Sequence, residues 1–136
     1  MIAKNTLNYT FRNCSNCKSI KINFPLEIVT SGTISYMWDY LYSCEYLDIR
    51  NWDISKSTGS YTPNYNKLID YYPPQLYPIN QTYANAISLS AESLVRILEA
   101  LPEVTTTKTV TLGQNNKLKL TQEEIAIATE KGWTVA

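Results

Sequence analysis

The sequence predicts an α/β chain built as a short solenoid, with a parallel β ladder, helical turns on the other face and an irregular central insertion. Three observations predict it. The apolar pattern of the first fifty residues repeats at a step of 27, the spacing inside each copy changes from three to two, and the last third of the chain alternates helix and strand signals. A single domain over 1–136 is expected, with two repeats in 1–54, a tyrosine- and proline-rich insertion in 55–80 and a helix-strand-helix-strand unit in 81–136.

The shift of 27 lays Leu7, Tyr9, Phe11, Cys14, Cys17, Ile20 and Ile22 onto Ile34, Tyr36, Trp38, Leu41, Cys44, Leu47 and Ile49, and every pair is apolar or aromatic. Phe11, Cys14, Cys17 and Trp38, Leu41, Cys44 are spaced by three, so each trio shares one side of a helical or 3₁₀ turn. Ile20 and Ile22, then Leu47 and Ile49, alternate with Ser19, Lys21, Asp48 and Arg50, which is the period of a strand with one buried face. A turn and strand this small cannot bury their apolar side alone. Stacking on a neighbour does so, and it aligns the strands as a parallel ladder.

From Ser55 to Asn80 the periodicity lapses, and Pro63, Pro73, Pro74 and Pro78 accompany Tyr61, Tyr65, Tyr71, Tyr72 and Tyr77. An irregular loop is expected here, with these five tyrosines as candidate contact residues; the same composition fits a proline-stiffened cover over the core. Ser90 then precedes Leu94, Val95, Ile97, Leu98 and Leu101, with Pro102 as a stop, which predicts a helix over 91–101. Residues 105–112 form a β-branched strand pattern, and Gly113 to Asn116 a turn. Thr121 and Glu124 have capping-box spacing ahead of Ile125, Ile127 and Ala128, so a second helix is expected over 122–131, feeding a strand over 133–135.

The run from Tyr9 to Ile22, with its Phe11, Asn13-Cys14 pair and Ile20, resembles the BspA-type leucine-rich repeat. The second copy ends in Asn51-Trp52-Asp53, which is similar to that family too, but it carries Leu41 where a cysteine is usual and Cys44 at a leucine position. Leu89 to Val95, Thr109 to Gly113 and the Ala128-Thr129-Glu130-Lys131-Gly132-Trp133 ending resemble closing repeats of leucine-rich proteins from bacteriophages and from gut or oral bacteria. The resemblance implies a capped solenoid end and names no ligand; a mixed-charge patch of Lys21, Asp48 and Arg50 on adjacent strands suits a protein or a surface glycan. The resemblance also implies the setting, a virion component or a bacterial surface adhesin; the Met1 start without an export signal makes a phage-encoded modulator of a protein in the host cytoplasm the alternative expectation.

Twelve basic and twelve acidic residues cancel, so no chain-wide field draws nucleic acid or an anionic membrane. The Met1 start has no apolar run behind it, which predicts neither an export signal nor membrane insertion. Histidine is absent, which removes the commonest general base and transition-metal ligand, and the expected chain is not an enzyme and holds no metal or cofactor. Among Asp39, Glu45, Asp48 and Asp53 no spacing singles out a pair for acid-base work. Cys14, Cys17 and Cys44 are too few for a four-ligand site and are expected as reduced, buried thiols. In a solenoid the outward strand residues form the concave face, which makes Ser19, Lys21, Tyr46, Asp48, Arg50, Thr109 and Thr111 candidates for partner contact. No polar cap precedes the first repeat, so self-association through Ile2, Leu7 and Phe11 is also expected.

Overall fold

The structure, a computed structural model, describes residues 2–3, 9–28, 36–56 and 62–136. Its strands are β1 (Ile2–Ala3), β2 (Ser19–Lys21), β3 (Leu26–Ile28), β4 (Tyr46–Asp48), β5 (Trp52–Asp53), β6 (Asp70–Tyr72), β7 (Gln81–Thr82), β8 (Lys108–Thr111) and β9 (Trp133–Val135). The helices are α1 (Ala91–Ala100), α2 (Gln114–Lys117) and α3 (Gln122–Thr129). The fold is mixed α/β. Among the described residues three short parallel sheets form, in the orders β1-β3-β5, β2-β4-β6 and β7-β8-β9, and none closes into a barrel.

The 27-residue step of the sequence is the register of β2 on β4: Ser19 lies opposite Tyr46, Ile20 opposite Leu47 and Lys21 opposite Asp48. The turns that lead into the two strands repeat as well. The amides of Cys14 and Cys17 donate to the carbonyls of Phe11 and Cys14, and those of Leu41 and Cys44 to Trp38 and Leu41. The Cys17 and Cys44 thiols donate to the carbonyls of Ser19 and Tyr46, at 3.3 and 3.2 Å. Phe11 stacks on Trp38 with ring centres 5.4 Å apart and planes 5° apart. Such a pair contributes about 0.5–1.5 kcal/mol beyond its burial. Leu7 and Ile34 lie outside the described residues, as does the side chain of Ile2.

Two expectations are corrected here. The stretch from 55 to 80 is not irregular throughout, because β6 lies within it and pairs with β4 at a step of 24: Tyr46 faces Asp70, Leu47 faces Tyr71 and Asp48 faces Tyr72. Tyr65, Leu68 and Tyr71 are all buried at that step from Leu41, Cys44 and Leu47. The second correction concerns the cysteines. Cys44 is buried, but Cys17 is only partly so and Cys14 is exposed, because the first turn has no neighbour among the described residues to cover it.

A column of backbone hydrogen bonds links successive turns: Glu45 N–H to Lys18, Ile69 N–H to Glu45 and Ser90 N–H to Ile69, at 2.9, 3.0 and 3.0 Å. After Ser90 the chain turns helical instead of extended. Its hydroxyl accepts the Ser93 amide as an N-cap, at 3.2 Å, as the sequence predicts. Helix α1 then closes the open edge of β6 with side chains. The Ser93 hydroxyl accepts from the Tyr71 amide at 2.9 Å and sits 3.0 Å from the Ile69 carbonyl, while Arg96 Nε donates to the Tyr71 carbonyl at 2.9 Å. A sheet edge that would otherwise present bare amides is thereby paired.

The closing unit packs on α1 through α3, which has the expected Thr121–Glu124 capping box. The predicted turn at 113–116 is largely the short helix α2, entered through Gly113 at φ 79°. Polar groups tie this unit to the rest. Lys131 Nζ, from the turn after α3, lies 3.2, 2.6 and 2.9 Å from the carbonyls of Leu98, Glu99 and Leu101, the orphan acceptors at the end of α1. Asn116, fully buried, reaches the carbonyls of Tyr83, Ala86 and Leu112.

Ser93 is fully buried, so Ser93→Ala removes a buried hydrogen bond, the one its hydroxyl accepts from the Tyr71 amide. Urea unfolding of that variant should show a loss of about 1–3 kcal/mol. An unchanged midpoint would contradict the edge-closing role.

Candidate binding surface

The outward side chains of β2, β4 and β6 lie in two rows across the sheet, Ser19-Tyr46-Asp70 and Lys21-Asp48-Tyr72. The second row is held rigidly. Arg50 forks onto Asp48, with Nε 2.8 Å from Oδ1 and Nη2 2.9 Å from Oδ2, and its guanidinium lies 3.8 Å from the Tyr72 ring centre. Arg96 from α1 lies 4.0 Å from that same ring. Tyr72 is therefore held by two guanidiniums, each fixed by its own hydrogen bonds, and Tyr46 packs beside it with ring centres 5.7 Å apart. Cation–π contacts of this kind contribute about 0.5–2 kcal/mol each.

Around this row the charges balance. Lys21, Arg50 and Arg96 face Asp48, Asp70 and Glu99, and Arg50, Tyr72, Pro73, Arg96, Glu99 and Ala100 line a shallow groove of about 320 Å³. Burial pushes the Asp48 carboxyl up, but the hydrogen bonds and charge of Arg50 outweigh it, and the group is held below its ordinary value. Tyr46 is pushed up by burial and by the neighbouring Asp48 charge.

Of the sequence candidates, the structure brings Lys21, Tyr46, Asp48, Arg50 and Tyr72 together. It separates Thr109 and Thr111, which belong to the β7-β8-β9 sheet, where Thr109 pairs with Thr134 and Thr111 with Thr82. The reason is α1, which occupies the β6 edge that a further strand would need. Tyr65, Tyr71 and Tyr77 are corrected as contact residues. They are 8%, 0% and 3% exposed and act as core, and burial raises the Tyr65 hydroxyl and pushes that of Tyr77 up to about 12. Tyr61 lies outside the described residues.

A second surface lies outside the residues that the repeat pattern singles out. In the turn before β4, Tyr36, Tyr40 and Tyr42 are 56%, 43% and 57% exposed. Tyr36 stacks flat on Tyr9 at 5.4 Å, Tyr40 and Tyr42 meet edge to face at 5.6 Å, and Arg12 sits 5.0 and 5.4 Å from the rings of Tyr9 and Tyr40. Beside them a cleft of about 560 Å³ is also lined by Asp39, Thr62 and Asn64. The available signal was the density of aromatics in Tyr36-Met37-Trp38-Asp39-Tyr40-Leu41-Tyr42, more than one buried face can absorb.

Among the described residues no Cys, Asp and Glu side chains gather as metal ligands, and no helix is long and apolar enough to cross a membrane. No family model, curated protein or solved structure matches the chain.

The depressed Asp48 carboxyl contributes stability that is present above its ordinary value near 3.8 and is lost as pH falls through its lower folded value. Acid unfolding should therefore steepen below roughly pH 4 in the native chain and be shallower in Asp48→Asn. Parallel acid profiles of the two would contradict the account of this pair.

Proposed function

We propose that the chain is a binding module, a short leucine-rich-repeat-like solenoid that holds a protein or glycan surface on the outward face of β2, β4 and β6. The observation that carries this reading is the Arg50-Tyr72-Arg96 stack. Arginine and tyrosine supply most contact energy in recognition surfaces, and side chains already locked by Asp48, Ser93 and the Tyr71 carbonyl lose little freedom when a partner docks. Parallel ladders at steps of 27 and 24 support the solenoid, and the helix-capped edge of β6 supports a finished end. The balanced charge of the row suits a partner of mixed charge rather than a polyanion.

The setting we propose is display on a virion or a bacterial surface, which rests on the sequence resemblance. The test is binding of fluorescently labelled chain to a panel of gut and oral bacterial cells. Saturable binding is expected, weakened roughly tenfold or more by Tyr72→Ala and by Arg50→Ala. Binding that ignores both substitutions would remove this face from the function. Absent cell binding, together with a stable complex with a cytosolic bacterial protein, would favour the intracellular modulator instead.

A further inference from the structure

We infer that the cleft beside Tyr36, Tyr40 and Tyr42 is a binding site for a neutral carbohydrate chain. This extends the reading of the chain as a binding module by naming the ligand class of a second site, built by a turn and not by the strand face. Three features of the lining define that ligand. The first is exposed aromatic surface. The C–H groups of a pyranose carry partial positive charge, and they match the negative face of a tyrosine ring as a guanidinium does.

The second feature is what lies next to the rings. The Asp39 carboxylate has no hydrogen-bond or ion-pair partner among the described residues, so it is available to accept from sugar hydroxyls. Asn64 uses its carbonyl oxygen on the Asn85 amide, at 2.7 Å, which fixes the side chain and leaves its NH₂ as a donor; Thr62 adds a hydroxyl. Acceptors and donors beside aromatic faces are what a polyhydroxylated ring requires. The third feature is charge. Arg12 lies beside the cleft, engaged on the Tyr9 and Tyr40 rings, but among the described lining the charged group is the Asp39 carboxylate, which disfavours phosphate, sulfate and carboxylate ligands. A volume of about 560 Å³ lies within the roughly 300–1,000 Å³ of small-ligand sites, which is room for a short oligosaccharide.

The backbone bears on the same point. Asn13 and Tyr40 occupy equivalent turn positions 27 residues apart, with φ 65° in both. Asparagine adopts that left-handed conformation readily, whereas a tyrosine there costs about 1 kcal/mol. The fold tolerates that cost at a residue that stays exposed and covers no core.

The test is an array of neutral gluco-, galacto-, manno- and N-acetylglucosaminyl oligosaccharides, followed by calorimetric titration with the best-bound trisaccharide. Binding with Kd of about 1 mM or tighter is expected. Tyr42→Ala should weaken it roughly tenfold and Asp39→Asn severalfold, with Tyr42→Phe close to native, since the ring face is kept. Tyr42 and Asp39 are not core residues, and thermal unfolding of each variant is the check that it folds. Array signal confined to sulfated or sialylated chains, capture of peptides alone, no signal at about 10 mM sugar, or titrations unchanged in both Tyr42→Ala and Asp39→Asn would each overturn the inference. Tyr72→Ala separates the two sites: it should leave trisaccharide binding intact whatever it does to cell binding.

Discussion

The hydrogen-bond column from Lys18 through Glu45 and Ile69 to Ser90 is the constraint on which the N-terminal fold depends. Each link sets the register of the strand that follows it. Because side chains alternate along a strand, a slip by one residue would turn Ile20, Leu47 and Tyr71 outward and Lys21, Asp48 and Tyr72 toward the core. The links span 27, 24 and then 21 residues, so the chain shortens its turns while keeping the strands level. The outward row is thus a product of register, and its chemistry follows from where the column stops.

It stops at a helix. Ser90 takes the place where a further strand would begin, yet its hydroxyl caps α1, and Ser93 and Arg96 then supply the bonds that a neighbouring strand would have made to Tyr71. Arg96 also lies against the Tyr72 ring, so one residue both pairs the sheet edge and completes the proposed contact row. Closure of the fold and shaping of the surface are therefore coupled. The same economy appears at Lys131, whose ammonium is drawn down by burial while it satisfies three carbonyls at the end of α1.

Much of this was legible in the sequence. The step of 27 is the β2-on-β4 register, the Ser90 and Thr121 caps are where their residue types place them, and Lys21, Tyr46, Asp48, Arg50 and Tyr72 converge. The third turn was hidden because its step is 24 and its inward places hold Tyr65 and Tyr71 where the first two turns hold cysteine, leucine or isoleucine. A tyrosine-proline composition suggests a contact loop, but a tyrosine ring fills a wide core position equally well. Thr109 and Thr111 failed as partners of Lys21 for a different reason: strand pattern does not say which sheet a strand joins, and α1 had already taken the edge. The exposed surface of Tyr36, Tyr40 and Tyr42 does not stand out from the repeat because Tyr40 and Tyr42 fall between its positions.

Native-state hydrogen exchange at the Tyr71 amide tests the central claim most directly, because that single N–H reports both the strand register of β6 and its closure by Ser93. The account predicts exchange only through global unfolding, with protection matching that of Ile69 and Asp70, whose amides bond to the Glu45 carbonyl. Exchange of Tyr71 at the rate of an open loop, while the amides of Glu45 and Tyr46 remain protected, would contradict it.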